Sequence, residues 1–410
     1  MNNTIVFVES GNYGAELAEL KKLNYNIIFL STGTLPFKTE FAHESILHIK
    51  DKNFAQEYYL KDKIVELSKK HKIIALFSTS DYFILSVSRI STELGLNKLN
   101  ISAAETFTNK YEFRKKQLKL NYKTPKFQKF DTLEHGIEFI KDLNEYWVFK
   151  PIRGNESIGV KLIQSVEDLK ECFFLLNKMS KLNNSLFPTE YLLEEYIEGN
   201  LYSCEFIVDN DQVHIFGVTD RILTPPPYFI ELGYAFPYKG ILEEDIVKYT
   251  KKFIADFQYD FGPCHIEYII SDDNQITILE VNPRIVGWPN NLMLNRSLNI
   301  NIYQLICELY VKGVINYIES SDIKYSNCLE VVLEHAGYIE SITYDQALIG
   351  PNCIIIENVK IGSYVKKATS NKEIILRLLA FGNTNKESNQ LITSLFKSVH
   401  INSNKIFNLI

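Results

Sequence analysis

Over the first hundred residues, short apolar runs alternate with helix-patterned segments, and this alternation constrains the fold more than any other feature. TIVFVE, YNIIFLST and KIIALFST are rich in β-branched and aromatic residues and read as strands. Between them, AELAELKKLN and FAQEYYLKDKIVELSKKH repeat apolar residues at helical spacing. A chain that alternates in this way builds right-handed βαβ units around a parallel sheet. Gly11 and Gly14 follow the first strand, but they do not make GxGxxG and no ribose-binding acid stands out downstream. A tight turn is their expected role. TSDYFILSVSRISTELGL then reads as a long helix closed by Gly95.

Beyond residue 100 the pattern changes. A polar, basic segment, NKYEFRKKQLKLNYKTPKF, precedes a strand–loop–strand in YWVFKPIRGNESIGVKLI. From about 186 the chain turns β-rich (EYLLEEYIEG, YSCEFIVDN, DQVHIFGVTD), with helices expected near 243–258 and 301–313. Residues 316–410 mix strands and helices and carry no recognisable chemical motif. A chain of 410 residues exceeds one ordinary domain, and with 46% hydrophobic residues it can fill large cores. A formal charge of −6 gives no reason to expect nucleic acid or an anionic membrane as partner. No run approaches a transmembrane helix, and the opening residues lack the pattern of a signal peptide. Six scattered cysteines, without CxxC or zinc spacing, point to reduced thiols in a cytoplasmic protein.

The strongest chemical signal is HIEYIISDDNQITILEVNPR, residues 265–284. Two β runs flank a turn-rich Ser271-Asp272-Asp273-Asn274, as in a hairpin. With Ile270 opposite Gln275, Glu267, Glu280, Asn282 and Arg284 share one face, and the two glutamates are diagonal neighbours. Two carboxylates and an amide oxygen make a hard oxygen site suited to Mg²⁺ bridging nucleotide phosphates. His265 falls on the same face, either as a proton acceptor or as a buried histidine bonded to Glu280.

The second signal is WVFKPIRGNESIGV, 147–160, where Lys150 ends an apolar strand and Gly154, Ser157 and Gly159 supply a flexible loop with N–H groups for phosphate oxygens. It is not a P-loop, because the GxxxxGK[ST] order is absent. The third, LLEEYIEG at 192–199, is weak alone, since most such glutamates face solvent.

Together and in this order, the three signals resemble the ATP-grasp superfamily over roughly residues 1–315. LFSTSDYF, GLN and NKYEFR in the N-terminal half resemble its preceding domain and short Lys/Arg motif. Within the superfamily the chain is most similar to L-amino-acid ligases, through K-P-…-S-x-G-V, E-E-Y-I-x-G, E-V-N-P-R followed by Gly and Trp, and PYFIELGYAFP. The resemblance implies an α/β (α+β) ATP-grasp fold: a Rossmann-like pre-ATP-grasp domain over 1–100, a lid subdomain over 101–190, and a catalytic subdomain with a C-terminal α/β extension over 191–410. It implies ATP and Mg²⁺ (with Mn²⁺ as a substitute), small carboxylate and amine substrates including amino acids, and an association as homodimers common among such ligases.

Residue by residue, the resemblance makes Lys110 and Lys150 phosphate contacts, with Gly154, Ser157 and Gly159 in the closing lid. Glu194, Glu195 and Ile197 become the adenine hinge, largely through backbone groups. Glu267, Glu280 and Asn282 hold the metals. Arg284 stabilises the acyl phosphate, Glu231 receives the substrate ammonium, and Gly287 and Trp288 border the carboxylate's side chain. Two positions depart from the pattern. Leu201 occupies the usual place of a ribose-binding Glu, leaving Glu198 or Glu205 to serve, and Tyr234 replaces a histidine. A carboxylating or purine-pathway enzyme of the same superfamily, or a nucleotide-binding module without turnover, are the alternatives.

Overall fold

The computed structural model describes residues 3–401 except 42, 142–145, 155, 183–188 and 211. Four parallel strands, Ile46–Lys50, Asn26–Ser31, Asn3–Val8 and Lys72–Phe77, lie side by side in that order. Val6 and Val8 face the helices Glu57–Lys70 and Ile84–Glu93, while Ile5 and Phe7 face Ala15–Lys22 and Ile302–Lys312. This two-sided burial is why these strands read as continuous apolar runs. The edge strand Ile46–Lys50 went unpredicted because only Ile46 is buried. The helix expected from residue 79 starts only at Ile84. Thr79 Oγ1 donates to Glu16 and Ser78 Oγ accepts the Ser80 N–H, and such side-chain bonds compete with helix at its start. Gly95 closes that helix at φ 66°, as its sequence position predicts.

A second sheet is antiparallel, in the order Phe127–Phe130, Tyr191–Glu195, Trp147–Pro151, Lys161–Ile163. Its apolar face packs on helices Leu133–Ile140 and Val166–Leu182 around Phe149, Leu169 and Tyr191.

The third sheet has eight strands. It runs from the hairpin Ile276–Asn282 and Gly262–Ile270 through Asn200–Asp209, Gln212–Leu223 and Glu231–Phe236 to Tyr325–Val331, Leu376–Gly382 and Cys353–Glu357. The C-terminal region is thus a continuation of the same sheet. Alternation along the central strands separates two environments. Tyr202, Cys204, Phe206, Ile266 and Tyr268 enter a core with Phe253 and Phe257 of helix Glu243–Phe257. Ser203, Glu205, His265 and Glu267 point the other way. All six cysteines are free and buried, and among the described residues no helix is long and apolar enough to cross a membrane.

Candidate active site

The hairpin forms with a different register from the expected one. Ile270 pairs with Ile276, because the turn takes five residues and Asn274 adopts φ 59° within it. A bulge at Leu279 shifts the register again, so Glu267 lies directly opposite Glu280 rather than diagonal to it. The bulge leaves backbone carbonyls that Arg114 satisfies: Nη2 donates to Leu279 O at 2.7 Å and Nη1 to Ile278 O at 3.1 Å. The two glutamates therefore come closer than alternation alone requires.

Arg114 is also the centre of the cationic side of the site. It sits in helix Lys110–Lys119, whose N-terminus is capped by Asn109, and is 1% exposed. Its Nε and Nη2 donate to the two oxygens of Glu194 at 2.7 and 3.1 Å. Lys150 donates to the same carboxylate. Burial works against the Glu194 charge, yet Arg114 and Lys150 hold its carboxyl down at about 2. Glu194 was expected to act through its backbone, but its side chain is buried and committed to these cations. Burial lowers the Lys150 ammonium, and the nearby Arg114 and Lys110 lower it further against the pull of Glu194. Lys110 Nζ reaches Glu280 Oε1 at 2.7 Å and Gly154 O at 3.5 Å. Three cations thus face two carboxylates here, a surplus that an anionic ligand would neutralise.

The other side is built around Arg221, a residue of strand Gln212–Leu223 that belongs to none of the three sequence signals. Arg221 bonds Glu231, donates to Glu267 Oε1 at 2.7 Å, lies 3.1 Å from His265 Nε2, and rests over the Tyr234 ring at 5.4 Å. Tyr234 donates its hydroxyl to Glu231 Oε2. Glu231 therefore already holds a guanidinium, a phenol and an amide (Asn371 Nδ2 at 3.2 Å) before any ligand ammonium arrives. His265 binds Glu205 through Nδ1 at 2.6 Å and Glu267 through Nε2 at 3.0 Å, not Glu280. Both ring nitrogens are engaged, and although burial opposes it, Glu205 and Glu267 lift the imidazole to about 9. With both ring nitrogens bonded to carboxylates, neither offers a free lone pair to the cavity. Glu205 is fully buried on His265, so it does not replace a ribose-binding acid at Leu201, and Glu198 is exposed outside the cavity.

The C-terminal region, which carried no readable motif, supplies Glu330, Asn371 and Arg377. Arg377 Nε donates to Glu330 Oε1 at 2.7 Å, while Glu330 Oε2 is buried without a partner among the described residues. Burial pushes the Glu330 carboxyl up to about 7 despite that guanidinium. These residues lie one or more strands away from the recognisable motifs, and only the sheet order brings them in. Charged residues inside strand patterns were the available signal.

All of this surrounds one cavity of about 1060 Å³. It is lined by Lys110, Lys150, Gly154, Ser157, Glu194, Glu195, Ile197, Glu231, His265, Glu267, Glu280, Asn282, Arg284, Gly287 and Trp288. Gly159 does not line it; the glycine has φ 72° and an added Cβ would lie 2.6 Å from Leu176, so it serves the turn. Asn155 of the loop lies outside the described residues. Loops following the parallel strands complete the rim. Asp81, after Lys72–Phe77, accepts from Arg284 Nε at 2.7 Å, and Gly11 sits so close to the Thr79 carbonyl that an added Cβ would lie 2.2 Å from its oxygen. Trp288 is half-buried at the cavity wall, with Lys38 Nζ 5.7 Å from its ring, and belongs to no core cluster. Among the described residues no cluster of three His, Cys, Asp or Glu side chains is arranged as a metal site. The second oxygens of Glu267 and Glu280 and the Asn282 amide nevertheless make no bond to another described residue, and this oxygen donor set fits Mg²⁺.

Residues 143–291 match the model of the ATP-grasp domain. An L-amino acid ligase from Bacillus licheniformis superposes with TM-score 0.80 over 99% of both chains at 17% identity. Phosphoribosylglycinamide synthetase from Anaerococcus prevotii follows with TM-score 0.68 at 16% identity, covering 98% of this chain and 99% of that one. The biotin carboxylase domain of a Hydrogenobacter thermophilus 2-oxoglutarate carboxylase, solved with MgADP and bicarbonate, gives 0.67 at 15% identity over 99% of this chain and 92% of that one. No curated protein sequence matches the chain. At these identities the structural likenesses speak for the fold alone: the chain has an ATP-grasp fold, and residues 143–291 match the ATP-grasp domain.

Proposed function

We propose that the protein is an ATP-dependent carboxylate–amine ligase that forms an amide or peptide bond through an acyl phosphate, with an L-amino acid as one substrate, releasing ADP and phosphate. The observation that carries this reading is the division of one cavity into two electrostatically distinct sides, one with surplus cations and one with a closed network of opposite charges. The size supports it too, since about 1060 Å³ accommodates a nucleotide beside a small acceptor.

In this reading Lys110 and Lys150 bind the β- and γ-phosphates, and the 153–160 loop closes over them to exclude water. Glu267, Glu280 and Asn282 are the residues that would hold Mg²⁺ or Mn²⁺, which when bound supplies charge neutralisation to the transferring phosphoryl group. The carboxylate oxygen takes the γ-phosphoryl from ATP, and ADP leaves. Arg284, held in place by Asp81, faces the resulting acyl phosphate and stabilises its negative charge. The amine nitrogen then attacks the acyl carbon, phosphate leaves with the bonding pair, and the amine proton is lost to solvent. Glu195 and Ile197 would border the adenine.

In this reading the chain divides into a pre-ATP-grasp domain over 1–100, a lid subdomain over 101–190 and a catalytic subdomain with its C-terminal extension over 191–410; the pairing of strand Tyr191–Glu195 within the second sheet supports carrying the lid boundary slightly past 190. Six unpaired buried cysteines support a cytoplasmic setting. The deciding experiment is a pairwise matrix of amino acids and other carboxylates against amines, scored by phosphate release and product mass. A set of pairs giving equal ADP and amide is expected. ADP release that requires bicarbonate, or no release with any pair, would sink the reading.

A further inference from the structure

We propose that Asn371 is a positioning residue that couples the loop segment Glu156–Val160 to the Glu231 side of the cavity. Its chemical meaning rests on the ligase reading above; its geometry does not depend on which substrates are used. Asn371 opens a short 3-10 turn, Asn371–Glu373, fixed by Ser370, whose Oγ accepts the Lys372 N–H at 3.4 Å, and by a capping box with Glu373, whose Oε2 accepts the Ser370 N–H at 2.9 Å.

From that turn Asn371 makes three bonds in two directions. Its Oδ1 accepts the Glu231 N–H at 3.0 Å, and its Nδ2 donates to Glu231 Oε2 at 3.2 Å. Its backbone N–H donates to Glu156 O, in the lid, at 3.3 Å. The reciprocal pair grips both the backbone and the side chain of one residue, which fixes orientation in a way a single bond does not. On the lid side, Glu156 and Ser157 hold φ of 56° and 54°. Two successive non-glycine residues keep such a conformation only where the surroundings enforce it. Lys372 Nζ, 3.9 Å from Glu156, is an exposed pair and contributes little.

The strained step of the lid is therefore held from the C-terminal region, by a residue whose side chain is committed to Glu231. Occupancy that shifts Glu231 shifts the anchor of the lid. For a ligase this matters, because an acyl phosphate awaiting its amine survives only while water is kept out.

Hydrogen exchange of the segment 150–162 with Mg·AMP-PNP bound, compared among wild type, Asn371→Ala and Asn371→Asp, tests the coupling directly. Both variants keep the backbone N–H to Glu156 but lose the Nδ2 bond to Glu231, and through the loosened turn the segment is expected to exchange about fivefold faster, roughly the worth of one net hydrogen bond. Product formed per ADP should fall by a similar factor, as more acyl phosphate meets water. Asn371→Asp is isosteric and sets carboxylate against carboxylate, so it keeps the test alive if the alanine variant folds poorly. Lys372→Ala, which cuts only the exposed pair, should match wild type. Unchanged lid exchange in both Asn371 variants overturns the proposal, whatever the turnover. A wild type that releases no ADP with any carboxylate–amine pair, in a protein whose lid the variants still loosen, counts against the ligase reading and leaves the coupling standing.

Discussion

Where Lys110, Arg114 and Lys150 meet Glu194 and Glu280, cations outnumber carboxylates. Where Arg221, His265 and Arg377 meet Glu205, Glu231, Glu267 and Glu330, they do not. The first side attracts an anion; the second, closed on itself, orients a ligand that carries both charges, as an amino acid does. The sides also differ in how they are held. The first hangs on one buried guanidinium, whereas the second spreads its load over Arg221, His265, Glu231 and Glu267, each with more than one partner.

The sharpest way to break this contrast is to remove Arg114. Arg114→Met leaves Glu194 short of its bidentate partner and two hairpin carbonyls without theirs, and a destabilisation of about 3–5 kcal/mol is expected from a denaturant midpoint. If the loss is below about 1 kcal/mol, the first side is not hung on that guanidinium.

Next comes Glu280→Gln. It keeps shape and the contact to Lys110 while removing one anionic oxygen, so folding should be almost unchanged and Mg²⁺-dependent ADP formation should fall by about 10²-fold or more. Turnover like that of the wild type would take the hairpin out of the chemistry.

A subtler probe addresses the second side. The Glu330 carboxyl is lifted by burial from 4.5 in the unfolded chain to about 7. Its stabilising contribution is complete below about pH 4.5 and is lost as pH rises through about 7. Relative to Glu330→Gln, which cannot titrate, the wild type should lose about 3 kcal/mol between pH 4.5 and 8, read from paired melting curves. Parallel curves would mean that Arg377 compensates the charge fully.

The smallest effect is expected at Trp288. Trp288→Ala should retain ATP turnover and shift preference toward bulkier carboxylate donors by roughly 1–3 kcal/mol, measured as ratios of kcat/KM. An unchanged donor ranking would move the side-chain pocket elsewhere.

Legibility in the sequence follows the same division. Lys150, Glu267, Glu280 and Arg284 were readable because each lies in a short local pattern whose strand periodicity fixes its face. The hairpin register was not, since a five-residue turn and a bulge at Leu279 leave no mark in alternation. Arg221 and Glu330 resemble any charged residue on a strand until the sheet order sets them beside Tyr234 and Arg377. Asn371 belongs to a turn whose capping box is local, but whose target lies 140 residues away. The parallel sheet of the first hundred residues was legible except for its edge strand, which buries too little to show a pattern.

The reach of Arg114 has a consequence for how the molecule comes together. Its bonds close separations of 80 residues to Glu194 and of 164 and 165 to the hairpin carbonyls. Contacts of such sequence separation are entropically late, and a guanidinium gives up its water only once every partner is in place. Loss of Arg114 is therefore expected to act on the lifetime of the native molecule: the unfolding limb of a chevron should lie higher by the same factor at every denaturant concentration, while the refolding limb stays close to that of the wild type.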